Sequence, residues 1–87
     1  MIRKEMQIRH AGGLEARPVA VLVQVASQYE CTVYLEAGQK RVNAKSIMGM
    51  MSLGLNEGET ILVETNGSDE AAAMDGIENF IIGNDGK

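Results

Sequence analysis

The sequence predicts an α+β fold, an open-faced β-sandwich whose four-stranded antiparallel sheet is covered on one face by three helices in the order βαββαβα. Two apolar periodicities and the chain length lead to it. Segments that alternate apolar and polar residues take turns with segments whose apolar residues recur three and four apart. A strand with one apolar face and a helix with one apolar stripe each need the other as cover. At 87 residues and 9.4 kDa the chain suffices for a modest two-layer core, read as a single domain over 1–87. A second fold or a large enclosed active site would not fit.

The first strand places Ile2, Met6 and Ile8 on one side and Arg3, Glu5, Gln7 and Arg9 on the other, with Lys4 as an exception. His10-Ala11-Gly12-Gly13 breaks that alternation. The spacing of Val19, Leu22, Val23 and Ala26 then predicts a helix from about Ala16 to Gln28, with Pro18 tolerated in its first turn. From Cys31 the period returns to two, with Cys31, Val33 and Leu35 facing one way. Ala37-Gly38-Gln39 turns the chain into a short returning strand, Lys40 to Asn43. A short helix follows Ser46 and can end at Gly54, and Asn56-Glu57-Gly58 is turn-like. Thr60 to Thr65, rich in β-branched residues, predicts the fourth strand, closed by Asn66-Gly67. Ser68 or Asp69 can cap a last helix with an inward face of Ala73, Ile77, Phe80 and Ile81. Gly76 is expected to weaken that helix by ~1 kcal/mol relative to alanine. The tail from Gly83 to Lys87 is expected to fray.

A formal net charge of -4 and a pI near 4.8 speak against direct nucleic-acid binding, which rests on a basic footprint. Cys31 is the only cysteine, which excludes an intramolecular disulfide and a multi-cysteine metal site and fits a buried small hydrophobe in a strand. No apolar segment approaches the roughly 18 residues of a membrane span. A cytoplasmic protein with no membrane partner is expected.

His10 is the only histidine, and Asp69-Glu70 alone does not supply a carboxylate cluster at ligand spacing, so neither a metal nor a cofactor is expected. The pair Gly12-Gly13 before a helix is either a phosphate cradle or, more plainly, a turn. Asn43 to Gly54 offers more. Ser46 precedes an apolar run in which Ile47 and Met51 are four apart and Met48 and Met51 three apart. A serine at an N-cap lends its oxygen to a free N–H of the first turn, and the helix dipole favours negative charge there. Phosphate on Ser46, with Lys45 adjacent, would therefore be stabilised rather than melt the helix. Two readings follow: Ser46 is a switch beside an adaptable methionine surface, or it merely caps a helix whose Met48, Met50 and Met51 belong to the core.

Gly13-Leu14-Glu15-Ala16-Arg17-Pro18, Asn43 to Gly54, and Asn66-Gly67-Ser68-Asp69-Glu70 stand in order along the chain. Together they resemble the histidine-containing phosphocarrier protein HPr of the bacterial sugar phosphotransferase system, over nearly the full length. In that family the histidine of the first motif accepts a phosphoryl group from enzyme I and passes it to sugar-specific proteins. This chain has Glu15 at that position, and Gly12 in place of a common asparagine. A carboxylate repels an incoming phosphoryl group and would form a mixed anhydride, so relay should fail and no catalytic residue is expected. Glu15 either occupies a helix start that favours acidic groups or imitates a phosphorylated histidine paired with Arg17. His10, five residues away, is a poor substitute acceptor.

Loss of the histidine with an intact Ala-Lys-Ser-Ile-Met-Gly segment resembles the catabolite-repression paralogues of HPr in Gram-positive bacteria, which usually carry glutamine there. The resemblance implies a regulator rather than an enzyme. Ser46 would be phosphorylated by HPr kinase/phosphorylase, and the product would bind the catabolite control protein, a LacI-family transcription factor, as corepressor. Arg17, Ala20, Ile47, Met48 and Met51 would form the partner-binding surface. The alternative is a divergent or histidine-substituted phosphocarrier.

Overall fold

The computed structural model describes residues 1–9 and 16–82, with the side chains of Ala16 and Arg17 excepted. His10 to Glu15 and the tail from Gly83 onward, including the expected fraying, lie outside the described residues.

The order is β1 (Ile2–Gln7), α1 (Ala16–Ser27), β2 (Thr32–Ala37), β3 (Lys40–Asn43), α2 (Ile47–Met51), β4 (Thr60–Asn66) and α3 (Glu70–Ile81). This is the expected βαββαβα sequence of elements. The four strands form one antiparallel sheet in the order β1-β4-β2-β3. Boundaries moved by one or two residues: α1 stops at Ser27, β2 starts after Cys31, and β4 takes in Asn66.

The register sorts the side chains. Met6 pairs with Ile61, and Val63 pairs with Leu35, so buried residues of neighbouring strands stack on the face that the helices cover. Val19, Leu22 and Ala26 of α1 and Ala73, Ile77, Phe80 and Ile81 of α3 close that core. Lys4, the exception in β1, shares the covered face with Val63 but stands on an edge strand. From there its Nζ reaches Glu78 Oε1 on α3 at 2.8 Å, which satisfies the charge at the rim of the core.

The uncovered face is charged. Arg41 donates to Glu64 Oε2 at 2.9 Å and to Glu36 Oε2 at 2.6 Å, and its guanidinium lies 4.4 Å from the centroid of the Tyr34 ring. Arg3 lies 3.3 Å from the same Glu64 carboxylate. The Arg41 hydrogen bonds hold the Glu64 carboxyl below the usual range, against the opposing effect of burial. Mutual pairing lets this sheet face water without a helix over it.

The start of α3 differs from expectation. Asp69 occupies the cap position, but its side chain makes no cap hydrogen bond. Its carboxylate instead accepts from Glu30 N–H at 2.9 Å and Cys31 N–H at 3.0 Å, tying α3 to the segment between α1 and β2. The local turn is closed by Glu70, whose Oε1 accepts from Gly67 N–H at 3.0 Å, two residues before the cap position. Gly67 has φ +151 and approaches Cys31 so closely that a Cβ there would lie 2.7 Å from the Cys31 Cα. Only glycine fits that contact.

Candidate functional site

The site is built on the turn between β3 and α2. Asn43 Oδ1 accepts from Lys45 N–H at 2.8 Å, and the Asn43 carbonyl accepts from Ser46 N–H at 3.0 Å, so the turn is closed by its own short polar residues. That leaves Ser46 extended, with φ -106 and ψ 113, at the N-cap of α2. Its Oγ accepts from Gly49 N–H at 3.2 Å and its carbonyl from Met50 N–H at 2.9 Å. Ser46 is exposed. At the other end Ser52 Oγ donates to the Gly49 carbonyl at 2.6 Å, and the helix stops at Met51, short of Gly54. Gly54 follows with φ +60, the left-handed conformation that glycine accepts without strain.

A helix of five residues cannot bury all its apolar side chains. Met50 is buried in the core, whereas Ile47, Met48 and Met51 are exposed, Met48 to 80%. Among the described residues the exposed large apolar side chains are these three, Met1 and Val21. The alternative in which all the α2 methionines are core is thus correct for Met50 alone. Ala20 lies half-buried on α1, which packs against α2. Arg17 belongs to α1, but its side chain is outside the described part, as is Glu15. Val21 on α1 was missed by the sequence reading, although it falls four residues after Arg17, on the helical ridge of Arg17 and Ala20.

Lys45 behaves differently from expectation. Its Nζ donates to the Tyr29 carbonyl at 2.6 Å, beyond the C-terminal end of α1, so its ammonium is engaged there. The charged neighbour of Ser46 in sequence is a strap between α2 and α1 in space. Cys31 is buried, as its strand pattern implied. Burial pushes its thiol upward, and the neighbouring Asp69 carboxylate pushes in the same direction. Asp69 itself is held below the ordinary carboxylate range, first by the Glu30 N–H and then by the Cys31 N–H, with burial opposing. Asp69 and Glu70 are thus engaged with backbone donors, and among the described residues no cluster of three metal-ligating side chains exists. No described helix is long and apolar enough to cross a membrane.

The fold and this serine-capped turn define a class. The family described as "PTS HPr component phosphorylation site" matches residues 2–82, and the chain belongs to the HPr family. Within it, the HPr-like protein Crh of Halalkalibacterium halodurans is 43% identical over 93% of this chain and 96% of its own length. The HPr-like protein Crh of Bacillus subtilis is 38% identical over 93% and 95%. The solved phosphocarrier protein HPr from Bacillus anthracis superposes with a TM-score of 0.89 at 39% identity, covering 92% of this chain and 95% of that one.

Proposed function

We propose that this chain is a cytoplasmic regulator of carbon catabolite repression, switched by phosphorylation of Ser46. The observation that carries the reading is the exposed Ser46 hydroxyl at the N-cap of α2, directly followed by exposed Ile47, Met48 and Met51. Support comes also from the relatives named Crh, the Bacillus subtilis protein being described as a catabolite repression HPr. HPr kinase/phosphorylase places the phosphoryl group on Ser46 Oγ, where the orphan N–H groups of the first turn favour negative charge. The catabolite control protein, a LacI-family transcription factor, then reads phosphate and apolar surface together.

The division of labour is physical. Phosphate oxygens offer charge-assisted hydrogen bonds to a basic side chain on the partner, and Ile47, Met48 and Met51, with Ala20 and the stem of Arg17, exclude water around them. Losing the charged pair would cost roughly 1.5–3 kcal/mol, about a tenfold to hundredfold loss of affinity. Glu15 in place of the family's histidine removes the relay function.

The test uses two phosphoryl donors. Kinase with ATP should give acid-stable label that vanishes in Ser46→Ala and that raises affinity for the transcription factor. Enzyme I with phosphoenolpyruvate should leave the chain unlabelled. Equal affinity of both forms overturns the switch, and acid-labile label would make the chain a phosphocarrier.

A further inference from the structure

The six methionines of the chain fall into two groups. Met6, Met50 and Met74 are buried, whereas Met1, Met48 and Met51 are exposed. The contrast is sharpest inside α2, where Met48 is 80% and Met51 52% exposed but Met50, between them in sequence, is 1% exposed. A thioether in water is open to two-electron oxidation, and one packed in a core is shielded from it. The two exposed methionines of α2 stand within five residues of Ser46, on the surface assigned above to docking.

We propose that Met48 and Met51 are a reversible oxidation site at which a hydroperoxide turns that docking surface off. The inference rests on the docking reading of the preceding subsection. In each step the thioether sulfur attacks the distal peroxide oxygen: the O–O bond breaks, an S–O bond forms, sulfur gives up two electrons, and water or an alcohol departs. The product is a methionine sulfoxide, polar and chiral where an adaptable apolar side chain stood. On the free protein the new oxygen is solvated and costs nothing. Under a bound partner it must be desolvated without an assigned donor, so binding is weakened while the fold is untouched. Return to the thioether needs a dithiol reductant, which leaves as a disulfide with release of water, through reductases specific for each sulfoxide epimer.

Serine phosphorylation and methionine oxidation would then act on one patch with opposite sign. Leucine at both positions preserves apolar volume and removes the oxidisable sulfur. The experiment treats full-length Ser46-phosphorylated protein with graded hydrogen peroxide and reads each methionine by tandem mass spectrometry, followed by thermal melting and titration against the transcription factor. Met48 and Met51 should each gain one oxygen before Met6, Met50 or Met74 do, with an unchanged melting temperature and at least about tenfold weaker binding. The two reductases with dithiothreitol should restore affinity. The Met48→Leu/Met51→Leu protein, which keeps Met1, should show the same affinity before and after peroxide, whatever its starting affinity.

Undiminished binding of the oxidised protein, or loss of binding that appears only with oxidation of Met50 and unfolding, overturns the proposal and leaves the docking reading intact. Peroxide sensitivity that persists in the double leucine variant overturns it equally. Failure of the untreated phosphorylated protein to bind strikes the docking reading itself.

Discussion

The two short polar residues at the starts of α2 and α3 do opposite jobs. The Ser46 side chain serves only its own helix: the residue is exposed and its Oγ accepts from Gly49 N–H three residues on. Asp69 turns away from its helix and holds Glu30 and Cys31, 39 and 38 residues earlier in the chain. A cap whose single bond is local and solvated can be modified at little cost to the fold. A cap-position residue that joins two distant segments cannot. The difference separates a replaceable regulatory position from an architectural one, although both look like N-caps in sequence.

The largest effect should come from Asp69→Ala. It strips two backbone donors of a charged acceptor, and the Cys31 bond is part-buried, so water replaces it poorly. The melting temperature should fall by about 10 °C or more, read by thermal denaturation followed by circular dichroism. A loss no greater than that of Ser46→Ala would erase the distinction between the two positions.

Acid should reveal the same asymmetry. The Asp69, Glu64 and Glu70 carboxyls are held low in the fold by the Glu30 N–H, Arg41 and the Gly67 N–H respectively. Between the folded and unfolded pKa values the unfolded chain binds more protons, so stability rises with pH there. Their contribution is complete above the unfolded carboxylate value of about 4 and is lost as pH falls through the folded values. Urea midpoints should therefore be insensitive to these groups between about pH 5 and 7 and drop below about pH 4. Asp69→Asn should flatten that drop, and Ser46→Ala should leave its slope unchanged.

Most of the architecture was legible because it depends on periodicity. Val19, Leu22 and Ala26, or Ile61 and Val63, declare their buried faces through spacing alone, and the structure buries all five. Ser46 was legible because a cap is a local device. What spacing could not show were contacts between residues far apart in sequence: the Asp69 clasp on Cys31, and the Lys45 reach to Tyr29. Gly76 is the clearest case. Helix propensity assigns it a penalty, yet a Cβ there would lie 2.7 Å from the Tyr29 hydroxyl, so the glycine makes room for a neighbouring ring. Gly76→Ala should accordingly destabilise, by about 1 kcal/mol, where propensity alone gives a gain of that size. In a Tyr29→Phe background, where the nearest ring atom would be 3.5 Å away, the sign should reverse in urea unfolding.

The smallest effects belong to the start of α2. Ser46→Ala removes one exposed cap and should cost about 1 kcal/mol or less, since caps span about 0.5–2 kcal/mol and this one guards only five residues. Ser46→Asp should cost less still, within about 0.5 kcal/mol of the parent, because aspartate caps as well as serine and its charge suits the helix dipole. The pair forms a test of the switch that needs no partner. A regulatory charge placed at a helix start must be tolerated by the fold, so that its entire free energy remains for binding. If Ser46→Asp unfolded more readily than Ser46→Ala, negative charge at this position would oppose α2, and phosphorylation would act by melting the helix instead of dressing it.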